Sequence, residues 1–288
     1  MSKIGIIGGS GLYQMEGLDI TERKTVDTPF GKPSDEFAIG KFNGKEIVFL
    51  PRHGRNHEIS PTEINNRANI YALKVLGVDR IISVAAVGSL KEDIHPLDMV
   101  LVDQFIDRTN QARPATFFSD GIVVHIQFAE PVCSELQQLI YKSNKHLDAT
   151  IHNGGTYVNM EGPAFSTKAE SFLYKSWGAD VIGMTNMPEA RLAREAGICY
   201  ALIAMITDYD CWHLGTEIEA VSVEMILENL KKSVETAKTM LKNVLENMPD
   251  GPACGCKDTL RNAIVTPKDA MPKETVEKLR PIIEGFIK

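Results

Sequence analysis

The chain has 288 residues, 43% of them hydrophobic and 24% charged, with a formal net charge of -7. That length can bury a substantial core in one large α/β domain or two small ones. The acidic balance and scattered basic residues exclude general nucleic-acid affinity while leaving room for a local basic pocket, and no apolar run is long enough to span a bilayer as a helix.

Apolar runs alternate with amphipathic segments, without a linker or internal repeat, to about Asn247. The expected fold is therefore α/β, one domain with a mixed central β-sheet flanked by helices. Residues 1–250 would form the domain, with 251–288 as a C-terminal helical extension packed on it. A strand begins at Lys3, which leaves no room for a signal peptide and predicts a cytoplasmic protein. Five cysteines, Cys133, Cys199, Cys211, Cys254 and Cys256, are an odd count in a reducing compartment, so buried thiols are the default. Cys254-Gly255-Cys256 lacks the two-residue spacer of zinc knuckles and a second Cys or His pair nearby. Metal binding is the weaker reading there, beside a redox-sensitive or stapling pair.

In chain order, residues 3–7 form a short strand running into Gly8-Gly9-Ser10-Gly11, a turn whose amides can approach a phosphate. The spacing matches neither the dinucleotide fingerprint nor a P-loop, so a plain tight turn explains it equally. Residues 36–41 and 45–50 flank Asn43-Gly44, a hairpin signal that puts antiparallel strands in the sheet. The second strand ends in Pro51-Arg52-His53-Gly54-Arg55, three potential cations suited to gripping an anion. His53 and His57 stand four apart, but Gly54 and Pro51 argue against the helix that metal binding would need.

Residues 61–76 carry a helical apolar stripe, 80–87 a buried strand ending at Gly88-Ser89, and 99–106 a further strand. Residues 107–121 form a long loop, 133–147 an amphipathic helix, and 156–160 a strand feeding Glu161-Gly162-Pro163-Ala164-Phe165-Ser166. By default Phe165 would be buried and Glu161 solvated. A helix over 169–177, a strand over 180–185 and a helix opened by Pro188 and Glu189 follow. Residues 198–207 form a buried strand that meets Asp208 and Asp210, acids as common in turns as in sites. Helices over 216–247 and 273–287 complete the chain.

The polar and glycine-rich groups cluster where strands end, and in open α/β sheets ligands bind beyond those ends. Cations and glycines suit a phosphate, a carboxylate pair suits a hydrogen-bonding nitrogen heterocycle, and Phe165 with Met184 suits flat or sugar-like surfaces. Together these suggest a phosphate and a nucleoside.

Six segments carry a specific resemblance: Gly5-Ile6-Ile7-Gly8-Gly9-Ser10-Gly11, Asp27-Thr28-Pro29-Phe30-Gly31, Arg52-His53-Gly54-Arg55, Gln104-Phe105-Ile106-Asp107-Arg108-Thr109, Glu161-Gly162-Pro163 and Thr207-Asp208-Tyr209-Asp210-Cys211-Trp212. Over residues 3–247 the chain resembles the S-methyl-5'-thioadenosine phosphorylases, of the trimeric type in the purine nucleoside phosphorylase superfamily. The resemblance implies a homotrimer, or a dimer of trimers, acting on a nucleoside and phosphate without organic cofactor or metal. It implies phosphate held by Ser10, Arg52, His53, Thr185 and the backbone at Ala85 and Ala86, with Ala85 standing where relatives often carry a hydroxyl. It implies Met184 against the ribose, Phe165 and Ser166 bordering the base, Asp208 facing purine N7 and Asp210 the exocyclic amine. Val223 would line the 5'-methylthio pocket and His125 of a neighbouring subunit would close it. Cys254-Gly255-Cys256 is similar to thermophilic members.

Asp208 is then the expected catalytic acid, because two carboxylates in a partly dry pocket resist double ionisation. A 6-oxopurine phosphorylase is the nearest alternative, although such enzymes typically carry Asn at the position of Asp208. A nucleotide-binding module without chemistry leaves the carboxylates unexplained, and a dehydrogenase has the wrong glycine spacing.

Overall fold

The structure is a computed structural model that describes residues 2–13, 15–110, 113–213 and 223–287, the side chains of Ser10, Tyr13 and residues 223–226 excepted. Among the described residues one sheet holds β1 (Lys3–Gly8), β2 (Asp19–Lys24), β3 (Phe37–Phe42), β4 (Lys45–Pro51), β5 (Val78–Ser89), β6 (Met99–Val102), β7 (Gln104–Arg108), β8 (Ile151–Asn153), β9 (Thr156–Met160), β10 (Val181–Gly183) and β11 (Cys199–Tyr209). The helices are α1 (Asn66–Val75), α2 (Ser134–Ser143), α3 (Lys168–Ser176), α4 (Glu189–Glu195), α5 (Val223–Glu246), α6 (Lys273–Lys278) and α7 (Arg280–Ile283).

The central strand is β5. On one edge it pairs in parallel with β11 from Arg80 to Ser89. On the other it pairs in parallel with β1 only as far as Ser83, then antiparallel with β10 at Gly88 and Ser89. Between Ser83 and Gly88 that edge therefore opens, and the ends of β1 and β4, themselves parallel neighbours, face the gap. β3 and β4 form the expected antiparallel hairpin, with Asn43 at φ 47° and Gly44 at φ 79° in its turn.

Alternation along the strands feeds two cores, one on each face of the sheet. Ile4 and Ile6 of β1 pack with Leu136 and Ile140 of α2 and Met240 and Leu241 of α5. Ile7 turns to the opposite core, with Ile70 and Leu73 of α1 and Leu192 of α4. The C-terminal residues Leu260, Leu279 and Ile283 join this second core, and Cys256 joins the first.

The mixed α/β fold is as expected, with several local departures. The strand over 99–106 divides at Asp103, whose carboxylate accepts the Gly155 N–H, into β6 and β7. The helix over 61–76 begins as a separate 3-10 turn, Pro61–Glu63, before α1. The terminal helix breaks at Leu279, where Pro281 enters the first turn of α7 without an N–H to continue α6. β2 was not expected, since its sequence DITERK is polar and largely exposed. Residues 216–222 of the long helix lie outside the described residues; the helix is described from Val223.

Candidate active site

Two adjoining cavities fill the opening beside β5, and both are lined by His53, His57, Ala86 and Thr185. The first, about 520 Å³, also holds Phe165, Met184, Asp208 and Asp210. The second, about 300 Å³, holds Gly9, Gly11, Arg52 and Ala85. β10 runs back along the end of β5, which brings Met184 and Thr185 over Ala86.

At the carboxylate end, β11 extends past the expected boundary, so Asp208 lies within the strand. A register shift between Ile206 and Asp208 inserts Thr207 opposite the Val87–Gly88 step of β5. Gly88 lies beside both acids: a Cβ on it would stand 3.3 Å from Ile182 Cγ2 and in ordinary contact, at 3.6 Å, with Asp208 Oδ2 and the Asp210 Cβ. Burial pushes the Asp208 carboxyl up to about 6, the Thr207 hydrogen bond opposes the rise and the Asp210 charge adds to it. Asp210 is buried, and its Oδ2 has no hydrogen-bond partner among the described residues. The other oxygen, Oδ1, accepts the Ser166 hydroxyl at 3.4 Å, which is how Ser166 reaches the site. Phe165 is not the buried aromatic expected by default. It is 73% exposed and lines this cavity, because the residues that precede α3 lift it out of the core.

At the anion end, Arg52 is buried rather than free. Its Nε and Nη2 donate to Glu189 at 3.3 and 3.2 Å, and Nη1 donates to the Val84 carbonyl at 2.9 Å. Arg55 of the expected three-cation grip turns away to Asp35 and Glu36 at the surface. His53 is neutral: burial first, then the Arg52 and His57 charges, push it down to about 4, against the backbone bond to Ile59. Its Nδ1 lies 2.8 Å from the Ile59 carbonyl, so Nδ1 carries the hydrogen and Nε2 is left as an acceptor. The Thr185 hydroxyl donates to Asn186 Oδ1 at 3.2 Å. The side chains of Ser10 and Val223 lie outside the described residues. His125 lies in a separate cavity of about 650 Å³ with Asp120, Arg191 and Glu195.

The sequence profile of the phosphorylase superfamily matches residues 3–246. The chain belongs to the phosphorylase superfamily. It is 55% identical over 284 residues to the S-methyl-5'-thioadenosine phosphorylase of Geobacter sulfurreducens, which covers 99% of each chain. It is 52% identical over 285 residues to the protein of that name from Koribacter versatilis, covering 99% of this chain and 97% of the relative. Among solved structures it is similar to a methylthioadenosine phosphorylase sourced from an antarctic soil metagenomic library, with a TM-score of 0.92, 46% identity and 98% of each chain covered. Methylthioadenosine phosphorylase from Schistosoma mansoni in complex with adenine gives a TM-score of 0.80 at 39% identity, covering 86% of this chain and 93% of that one.

This superfamily member also uses residues that sequence reasoning missed. Glu161, expected to be solvated, accepts from Thr62 Oγ1 at 2.6 Å, from Asn110 N at 3.0 Å and from Arg113 Nε at 3.0 Å. Arg113 is buried and also donates to the Met184 and Met187 carbonyls at 2.6 and 3.1 Å, so it positions the Met184 segment. Glu189 was expected only to open α4. It is instead buried, accepting from Arg52, Ser83 Oγ and the Tyr200 hydroxyl. Nothing in local sequence distinguishes these partners from ordinary loop and helix residues. The expectation that Cys254-Gly255-Cys256 lacks a second pair also fails in space, because Cys133 and Cys199 lie against it.

Proposed function

We propose that this chain cleaves S-methyl-5'-thioadenosine with inorganic phosphate, giving adenine and S-methyl-5-thioribose 1-phosphate. One observation carries the reading: a buried carboxylate oxygen without a partner among the described residues, Asp210 Oδ2, shares a two-lobed crevice with an anion end built on Arg52, Thr185 and the Gly9 turn. A buried acceptor left unpaired is costly, and the exocyclic amine of adenine supplies the missing donor. The names of the relatives support the same substrate.

Breaking the glycosidic bond leaves positive charge on the ribose and negative charge on the purine. A phosphate oxygen bonds to C1' as the bond to N9 breaks, and Asp208 gives its proton to N7. Burial keeps that proton on Asp208 far above the usual carboxylate range, which leaves a usable protonated fraction near neutral pH. The hydroxyl of hydrogen phosphate can donate to His53 Nε2, and the proton remaining on the product ester restores Asp208 through solvent. Because Arg52 is already paired with Glu189, the charge of the phosphate remains available to the ribosyl cation. The reaction transfers no electrons and calls on no redox cofactor.

The same reading takes the working unit as a homotrimer, in which His125 of one copy closes the 5'-methylthio pocket of the next. That His125 lines a different cavity from the crevice of its own chain supports this. It further places the enzyme in the cytoplasm, serving methionine and purine salvage, in keeping with its cysteine usage. The deciding assay follows adenine release from methylthioadenosine, adenosine and inosine with and without phosphate. Phosphate-dependent release, fastest from methylthioadenosine, is expected; release that ignores phosphate would overturn the reading.

A further inference from the structure

We infer that Cys133, Cys199, Cys254 and Cys256 form a tetrathiolate site for one zinc ion, which staples the C-terminal segment to the sheet. Their four sulfurs lie within 4.8 Å of one another. Cys254 Sγ is 3.1 Å from Cys199 Sγ and 3.6 Å from Cys133 Sγ. In a tetrahedral zinc tetrathiolate with Zn–S bonds of about 2.3 Å, the sulfurs stand about 3.8 Å apart, so small adjustments bring all four to bonding distance. A disulfide could use Cys254 with only one of its two near neighbours. A metal uses every sulfur in the cluster.

Three chain segments supply the ligands, and each is held there by its own contacts. Cys133 caps α2, and its backbone N–H donates to the Tyr200 carbonyl beside Cys199, at the start of β11. The Ala253 N–H, next to Cys254, donates to Glu135 in the first turn of α2. Gly197, at φ 65°, lies so close to the Cys256–Lys257 backbone that a Cβ on it would stand 3.2 Å from the Lys257 carbonyl oxygen. Cys133, Cys199 and Cys256 are buried, and Cys254 is half-buried, which leaves an entry path.

Binding releases one proton from each thiol, so zinc plus four thiols gives a site of net charge -2 and four protons. Arg194 offsets part of that charge, with Nη1 3.4 Å from Cys256 Sγ. Four protein ligands leave no open position, the pattern of a structural rather than a catalytic zinc. Location agrees: Cys199 begins β11 and Asp208 lies nine residues further along it, about 30 Å at the rise of an extended strand.

The test uses the full chain, purified under reducing conditions after growth with zinc, with metal measured by plasma mass spectrometry. About one zinc per chain is expected, released by an organomercurial, with five titratable thiols in denaturant plus chelator. Cobalt reconstitution should give the intense sulfur-to-metal bands of a tetrahedral tetrathiolate. Cys254→Ser, the least buried change, should lower zinc content at least tenfold and Tm by several degrees, while Cys211→Ser keeps its zinc. Fewer than five thiols without zinc would show disulfides and overturn the proposal, as would zinc retained by both Cys254→Ser and Cys256→Ser. Stoichiometric iron with a red colour would overturn the choice of zinc.

Discussion

The Thr207 hydroxyl lies 2.6 Å from Asp208 Oδ1 and 3.2 Å from the Val87 carbonyl, with a single hydrogen to give. When Asp208 is ionised the hydrogen belongs to the carboxylate. When Asp208 is protonated the hydroxyl can turn to Val87 and accept from the acid instead. The bulge that inserts Thr207 thus supplies a partner for both protonation states.

This pair sets a pH dependence. The folded pKa of Asp208, about 6, lies above the unfolded carboxyl value of about 3.9, so the native site holds its proton to higher pH. Catalysis that needs the proton is therefore full below about pH 6 and declines about tenfold per unit above it. Thr207→Val removes a hydrogen bond that favours the anion, which raises the pKa further. The alkaline limb of kcat/KM for methylthioadenosine, at saturating phosphate, should move to higher pH. A limb that stays in place assigns the titration to another group.

Asp208→Asn keeps the shape and offers an amide hydrogen, but has no proton to transfer. Turnover of methylthioadenosine should fall by about 10² to 10⁴, the usual weight of a positioned acid. Preference should shift toward methylthioinosine or inosine. Steady-state kinetics on the two nucleosides checks it, and unchanged methylthioadenosine turnover would remove Asp208 from the mechanism.

Arg52 and Glu189 are each almost fully buried, their side chains 3% and 1% exposed. Breaking such a pair from one side leaves a buried charge alone, so Arg52→Met or Glu189→Leu should each cost about 3–5 kcal/mol of stability. The double variant should recover much of that loss in chemical denaturation, because no lone charge remains. Its KM for phosphate should stay raised, since Arg52 is missing from the anion end.

Phe165→Ala should separate binding from stability. An aromatic stacked on a base contributes about 1–3 kcal/mol, which predicts a rise in KM for the nucleoside of about 5- to 150-fold. Tm should barely move, because the ring is 73% exposed and supports little of the core. Thermal melting beside the KM measurement distinguishes this from a packing defect.

Much of this fold was legible in advance, for local reasons. The apolar run of β11, the Asn43-Gly44 hairpin and the stripe of α5 each express a period that a strand, a turn or a helix must satisfy. β2 and β8 were not, since a polar edge strand and a three-residue strand carry little pattern. At the site, the residue types near each strand end could be named, but their states could not. His53 is neutral because burial disfavours its charge, and Arg55 is absent because Asp35 and Glu36 claim it.

By itself, then, the sequence determined the α/β class, the order of its longer elements and the presence of Asp208, Asp210, Arg52 and Thr185 near strand ends. Periodicity and turn chemistry act within a few residues, so they are written in the chain. Tertiary structure alone decided that Arg52 is spent on Glu189, that Asp210 keeps an oxygen unpaired among the described residues and that four cysteines from three segments converge. Each of these depends on which distant groups share a buried space, and burial and pairing at long range leave no local pattern to find.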